Sequence, residues 1–231
     1  MFCHRCGTQI ADSAQFCPNC GQSQAASPLP SGGAPSAVWV PPSQVRVTAG
    51  HWLGEGWNLV MADLGSYVLI TLVFFLLNSV PFIQGALIAG FHIFTLKKLM
   101  GRRAEFGDFF KGFNFFLHTL VASLLIGLFT FLGLLALLIG ALVVVTMYKF
   151  TFLFIVDKRM DFWQAMQASH AVVKQDYLGF IGFVILAFLV NILGFLCLLV
   201  GLFVTIPMTI AAVTVAYKET VGFDPRTVDA L

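Results

Sequence analysis

The chain has 231 residues, of which 58% are hydrophobic and only 10% charged, whereas a soluble domain carries charge at about a quarter of its positions. A formal net charge of +2 is too small for a partner gripped through its phosphates, which argues against nucleic acid. Composition thus excludes an ordinary soluble domain and points to a chain that lives in a lipid bilayer.

At the start of the chain stand Cys3-x2-Cys6 and Cys17-x2-Cys20, each pair followed by a glycine, Gly7 and Gly21. Two such knuckles supply a complete tetrahedral thiolate shell, and each glycine relieves the tight turn that points backbone N–H groups at sulfur. Zinc suits that shell best, and four thiolates leave no open coordination position, so the metal is expected to be structural. His4 is not needed to complete it. In so small a module metal binding supplies most of the folding free energy, on the order of 10–16 kcal/mol. Arg5 and Asp12 balance, so the ribbon lacks the basic cluster that a phosphate-tracking surface requires. A role in protein contact is expected. Residues 1–22 are read as a small β zinc ribbon.

Residues 23–50 are rich in Ser, Pro, Ala and Gly and too poor in apolar side chains to build a core; they read as a tether. Residues 51–220 follow as an all-α transmembrane bundle, and 221–231 as a tail. Three tracts, Leu64–Leu96, Gly112–Tyr148 and Tyr177–Tyr217, contain no Lys, Arg, Asp or Glu. A span needs roughly 20 apolar residues, so each tract is too long for one helix and suits two joined by a tight turn. The turns are expected at Asn78-Ser79-Val80-Pro81, around Gly133–Gly140 and around Gly194–Gly201. That gives about six helices in three hairpins. The first hairpin is tightest and works best if its helices reach Met61 and Met100, with Lys97 and Lys98 snorkelling.

Basic residues lie between the hairpins: Lys97, Lys98, Arg102, Arg103 and Lys111, then Lys158, Arg159 and Lys174. The turns inside the hairpins hold none. The positive-inside rule places the long loops and both termini in the cytoplasm of a multi-pass inner-membrane protein. No cleavable signal peptide is visible, and in the cytoplasm thiolates stay reduced and available to zinc.

A weak repeat with a period near 55 residues also runs along the chain. An aromatic stretch precedes each hairpin: Trp52 to Trp57, Phe106 to Phe110, and Asp161-Phe162-Trp163. Asp63-Leu64-Gly65 and Asp176-Tyr177-Leu178-Gly179 fall at matching places. Duplication explains this pattern, and so does the habit of aromatics gathering at the headgroup level. Asp161 with Gln164 predicts a capped helix, with Phe162, Met166 and Val173 on one face. It reads either as a surface helix or as a connector packed on the bundle.

Polar residues inside apolar spans are where function is sought. Lys149, His92 and Asn191 form the candidate intramembrane site. A lysine there lines a polar cavity, binds an anionic lipid or snorkels to the interface. For His92, Asn191, Gln84 and Asn78 an interhelical hydrogen bond is the plainer reading. Pro207 reads as a kink and Cys197 as a small apolar residue. No catalytic pair, dyad or phosphate loop is visible, so no enzyme is expected.

MFCHRCGTQIADSAQFCPNCGQ resembles the zinc-ribbon domain that opens many bacterial membrane proteins. Phe106-Gly-Asp-Phe-Phe-Lys-Gly-Phe113, and Ile155-Val-Asp-Lys158 followed by Ala165, Ser169 and Val173-Lys174, resemble a group of six-span bacterial proteins. That group includes the membrane domain of glycerophosphodiester phosphodiesterases. Relatives carry Pro-Gly in the turn between the third and fourth spans where this chain has Leu-Ile-Gly-Ala-Leu, and no catalytic domain is visible, so the resemblance carries no activity over. The expectation is a non-enzymatic membrane protein in the bilayer, whose ribbon contacts a cytoplasmic protein as sensor, scaffold or assembly factor. The alternative is a small transporter or lipid-handling protein.

Overall fold

A computed structural model describes residues 39–80, 82–135, 138–197 and 200–223. The chain divides into Met1–Val40 and Pro41–Leu231, and the second unit is described here. In order it holds α1 (Ala49–Ala62), α2 (Leu64–Leu77), α3 (Gln84–Leu99), a 3₁₀ stretch (Phe106–Phe115), α4 (Phe116–Leu135), α5 (Leu138–Met147) and α6 (Thr151–Asp157). Then come α7 (Phe162–Val173), a 3₁₀ turn (Lys174–Asp176), α8 (Tyr177–Leu196) and α9 (Leu202–Thr220). Among the described residues there is no strand; the expected β ribbon at 1–22 lies outside them.

The three hairpin turns fall where the sequence places them, between α2 and α3, α4 and α5, and α8 and α9. In the second and third, paired glycines let the two helices touch backbone to backbone. A Cβ on Gly133 would sit 2.7 Å from the carbonyl carbon of Gly140, and one on Gly201 2.8 Å from the Cα of Gly194. Among the described residues the segments Phe106–Leu135, Gly140–Asp157, Phe162–Leu196 and Leu202–Thr220 are long and apolar enough to cross a membrane, which fits a membrane protein; with the bent pair α1–α2 they make up to five, fewer than the six spanning helices expected.

The first hairpin departs from the expected straight helices. α1 and α2 meet at 99°, because Asp63 leaves the helical region (φ −146°, ψ 56°) and caps α2 with its side chain, accepting from the Ser66 N–H at 3.4 Å. The 16 residues of α3 rise only about 24 Å, short of a ~30 Å hydrocarbon core. Protein surrounds most of this helix, so it need not span on its own: Gly85 to Leu87 and Ala89 to Leu96 are all buried.

The elements sort into three groups. α3, α6 and the C-terminal half of α9 are the inner helices, buried on nearly every side. α2, α4 and α8 are outer helices with a broad exposed apolar surface that includes Leu72, Leu76, Leu124, Phe131, Phe188 and Leu193. The third group is a collar around the inner helices. α1 packs on α9, the 3₁₀ stretch on α3, and α7 on α6. Each collar segment thus lies against the inner helix that precedes it, and α1 against α9 closes the ring. α7, read from sequence as surface helix or packed connector, is the connector: Ala165, Met166, Ala168, Ser169, Val172 and Val173 are buried.

The register of the first and third collar segments is the same. The offset that carries Asp63 onto Asp176 carries Thr48 onto Asp161, the residues that precede α1 and α7. It also carries Leu53 onto Met166, Val60 onto Val173, Tyr67 onto Phe180 and Ile70 onto Phe183, all buried pairs. Asp176 repeats the Asp63 cap, with φ −142°, ψ 67° and a bond from the Gly179 N–H.

Candidate functional site

The span formed by α5 and α6 is broken at Tyr148-Lys149-Phe150. A break frees backbone groups that must find partners where water is scarce. Ser169 on α7 supplies both. Its hydroxyl donates to the Met147 carbonyl at 2.7 Å and accepts from the Phe150 N–H at 3.1 Å. Ser169 is fully buried, and the register offset that matches Asp63 to Asp176 places it on Gly56. There a Cβ would meet the Met208 carbonyl at 2.7 Å and the Ala212 nitrogen at 2.8 Å. Both positions demand a small residue because two backbones run close together.

Inner helices bring His92 from α3 and Thr214 from α9 into contact. Thr214 donates its one hydroxyl hydrogen to the Ile210 carbonyl at 2.9 Å, so at 2.8 Å it accepts from His92 Nδ1–H. That fixes the neutral tautomer and leaves Nε2 with a bare lone pair. His92 is buried, and the half-buried Lys149 ammonium lies within electrostatic reach of the imidazole. Among the described residues Lys149 Nζ has no hydrogen-bond or ion-pair partner.

Thr151, two residues on, is fully buried and its hydroxyl has no partner. Most described helical threonines hydrogen-bond a carbonyl three or four residues back, as Thr71 does to Tyr67, Thr95 to Phe91, Thr146 to Leu142 and Thr214 to Ile210, but the Thr205 hydroxyl of α9 is, like that of Thr151, buried and without a partner. The corresponding carbonyl for Thr151 belongs to Met147, which Ser169 occupies.

Of the three expected site residues, His92 is held by Thr214 and Asn191 sits in a separate contact. Asn191 sits between α8 and α9, where its Nδ2 donates to the Ala187 carbonyl at 3.0 Å and to Thr209 Oγ1 at 3.3 Å. That is the interhelical role expected for a lone polar group. Gln84 is exposed at the start of α3, and Cys197 is exposed at the end of α8. Thr151, Ser169 and Thr214 were not singled out as site residues from sequence. The one signal for Ser169 was its place seven residues before Asp176, where Gly56 stands before Asp63.

At the charged end of the inner helices the lysines expected to snorkel are paired instead. Lys97 bonds Asp108 at 2.7 Å, an aspartate Lys111 also reaches at 2.8 Å, and Lys98 bonds Asp63 at 2.5 Å. The Lys98 hydrogen bond, with help from Ser66, holds the Asp63 carboxyl below its ordinary value of 3.8 against the opposing effect of burial. α1 is tied to α9 in the same layer, with Trp52 Nε1 donating to Glu219 at 2.6 Å and His51 bonding Glu219 at 3.0 Å. Asp157, buried at the end of α6, accepts from the Tyr217 hydroxyl at 3.0 Å and pairs with Lys158 at 3.0 Å.

The four cysteines proposed as metal ligands, Cys3, Cys6, Cys17 and Cys20, lie outside the described residues. Comparison with protein families matches residues 2–23 to a zinc-ribbon domain. Comparisons with curated proteins and with solved structures give no match. The chain carries a zinc-ribbon domain at residues 2–23, whose family implies structural zinc, ahead of a helical unit with several helices apolar enough for a membrane.

Proposed function

We propose that this is a non-enzymatic inner-membrane protein that holds a zinc ribbon at the cytoplasmic surface as a protein-contact module. The observation that carries the reading is the zinc-ribbon match at residues 2–23 on a chain whose other unit bears long apolar helices. Cys3, Cys6, Cys17 and Cys20 hold one structural zinc. The Pro-, Ser- and Gly-rich segment after them gives the ribbon reach from the bilayer, and the ribbon docks a cytoplasmic partner as sensor, scaffold or assembly factor. The test is crosslinking in intact cells with the wild type and with Cys17→Ser/Cys20→Ser. The variant is expected to insert normally and to lose the partners that the wild type captures; an unchanged partner set refutes the contact role.

A second reading, a small transporter or lipid-handling protein, is favoured by one observation. The α5–α6 span is broken at Tyr148-Lys149-Phe150, which leaves inside an apolar span a lysine whose Nζ has no partner among the described residues. Ionisable groups within membrane-spanning segments are costly and commonly mark substrate or ion paths.

A further inference from the structure

We propose that the charged end of the inner helices is a docking surface for the anionic lipid headgroups of the leaflet it meets, gripped by Arg103, Arg159 and Lys218. The inference stands on the membrane setting and needs no partner for the ribbon.

The three inner helices end alike. Just past the last turn of α3, α6 and α9 the backbone enters the left-handed region, at Gly101 (φ 68°), Arg159 (φ 51°) and Gly222 (φ 78°). Contacts hold these ends side by side. Lys158 Nζ, at the close of α6, donates to the Gly222 carbonyl at 3.4 Å. Arg159 lays its guanidinium 5.8 Å from the centre of the Phe115 ring, at the end of the 3₁₀ stretch that packs on α3. Each end carries an exposed cation: Arg103 two residues past Gly101, Arg159 itself, and Lys218 in the last turn of α9. None of the three pairs with a carboxylate among the described residues.

The carboxylates that could neutralise them are engaged internally. Asp63, Asp161 and Asp176 cap helices, and Glu105 stands in the capping box of the 3₁₀ stretch. Asp108 holds Lys97 and Lys111, Asp157 holds Lys158, and Glu219 holds Trp52. Of the described carboxylates only Glu55 has no such role. Membrane orientation asks for bases at this end, but it does not ask that the acids be turned away from the surface.

Arg159 adds an independent sign. Glycine avoids the strain of a left-handed backbone after a helix, and α3 and α9 use glycine there. An arginine kept in that place carries a conformational cost that a contact outside the chain offsets. The partner that fits is a bilayer surface, because each collar segment also presents an exposed aromatic: Trp57 on α1, Phe106 and Phe110 on the 3₁₀ stretch, and Trp163 on α7. Aromatic rings gather at the headgroup level, where anionic lipid attracts Lys and Arg.

The test uses the full-length protein in phosphatidylcholine bilayers, with tryptophan fluorescence quenched by brominated lipid as readout. Brominated phosphatidylglycerol and brominated phosphatidylcholine are compared at the same mole fraction, which gives the protein's preference between the two headgroups. The wild type is expected to prefer phosphatidylglycerol, and less so as salt is raised. The triple variant Arg103→Gln/Arg159→Gln/Lys218→Gln changes only exposed positions, where folding tolerates substitution. It should lower the preference about fivefold, the scale of one cation at an anionic surface. Arg159→Gly should raise the unfolding midpoint while lowering the preference; an arginine with a merely structural role would leave the preference unchanged. Equal quenching by the two lipids, or a triple variant that keeps the wild-type preference, overturns the proposal. So does inorganic phosphate that displaces phosphatidylglycerol more than chloride of equal ionic strength, because the occupant is then a soluble anion. Quenching by neither lipid would overturn the membrane setting along with it.

Discussion

At Ser169 one hydroxyl serves the two backbone groups that the α5–α6 break sets free, the Met147 carbonyl and the Phe150 N–H. Replacing it with alanine keeps the close approach of the backbones but leaves both groups buried and unpaired. Each orphan costs about 1–3 kcal/mol, so Ser169→Ala is expected to lower the thermal midpoint of the purified protein clearly. Ser169→Thr keeps the hydroxyl and should recover part of the loss if the added methyl is accommodated. An alanine variant as stable as wild type would mean the break is supported elsewhere. Lys149 was visible in the sequence because a lysine amid apolar residues announces itself, and His92 for the same reason. Ser169 and Thr151 were not, because a small hydroxylated residue in an apolar helix normally bonds its own backbone. The role of Ser169 comes from a break three residues long that no proline or glycine marks. Asn191 drew notice by polarity alone, and its partners on α8 and α9 show an ordinary interhelical bond.

Between elements, packing in the collar depends on backbones that approach within van der Waals contact. A Cβ on Gly90 of α3 would strike the backbone carbonyl of Phe109 in the 3₁₀ stretch, and no side-chain rotation removes that clash. Overpacking of this kind costs about 1–3 kcal/mol. Gly54 of α1, by contrast, has nothing within 4 Å of the added carbon, so alanine there gains helix propensity of up to about 1 kcal/mol. Gly90→Ala should therefore lower the unfolding midpoint in detergent, and Gly54→Ala should leave it level or raise it. Equal effects at the two positions would contradict the described contact of α3 with the collar. The hairpin turns were legible because glycine, proline and asparagine interrupt long apolar tracts. The 99° bend at Asp63 was not. Asp63 was noticed as a repeated landmark beside Asp176, yet only the structure shows both as N-caps with matching φ and ψ. The repeat is thus carried by cap geometry and by the buried register, which aromatics gathering at an interface do not require.

For the whole molecule, one arrangement links the charge pattern to the fold. The inner helices end in paired lysines and aspartates within the collar, and the outer helices carry the exposed apolar surface. The basic residues that set orientation in the sequence therefore gather at one end of the described unit. The hairpin count was readable from tract length, since two helices per tract is the economical way to use it. The lengths within the first hairpin were not, because α3 is sheltered by protein and is freed from the full span that lipid would impose. We propose that this charged end, like the zinc ribbon, faces the cytoplasm. Fusing a reporter after Gly101, and a second after Ser79, tests the placement of the charged end in living bacterial cells. A reporter active only in the cytoplasm should work at Gly101, and one active only in the periplasm should work at Ser79. The reverse pattern, with Gly101 periplasmic, would contradict a cytoplasmic charged end.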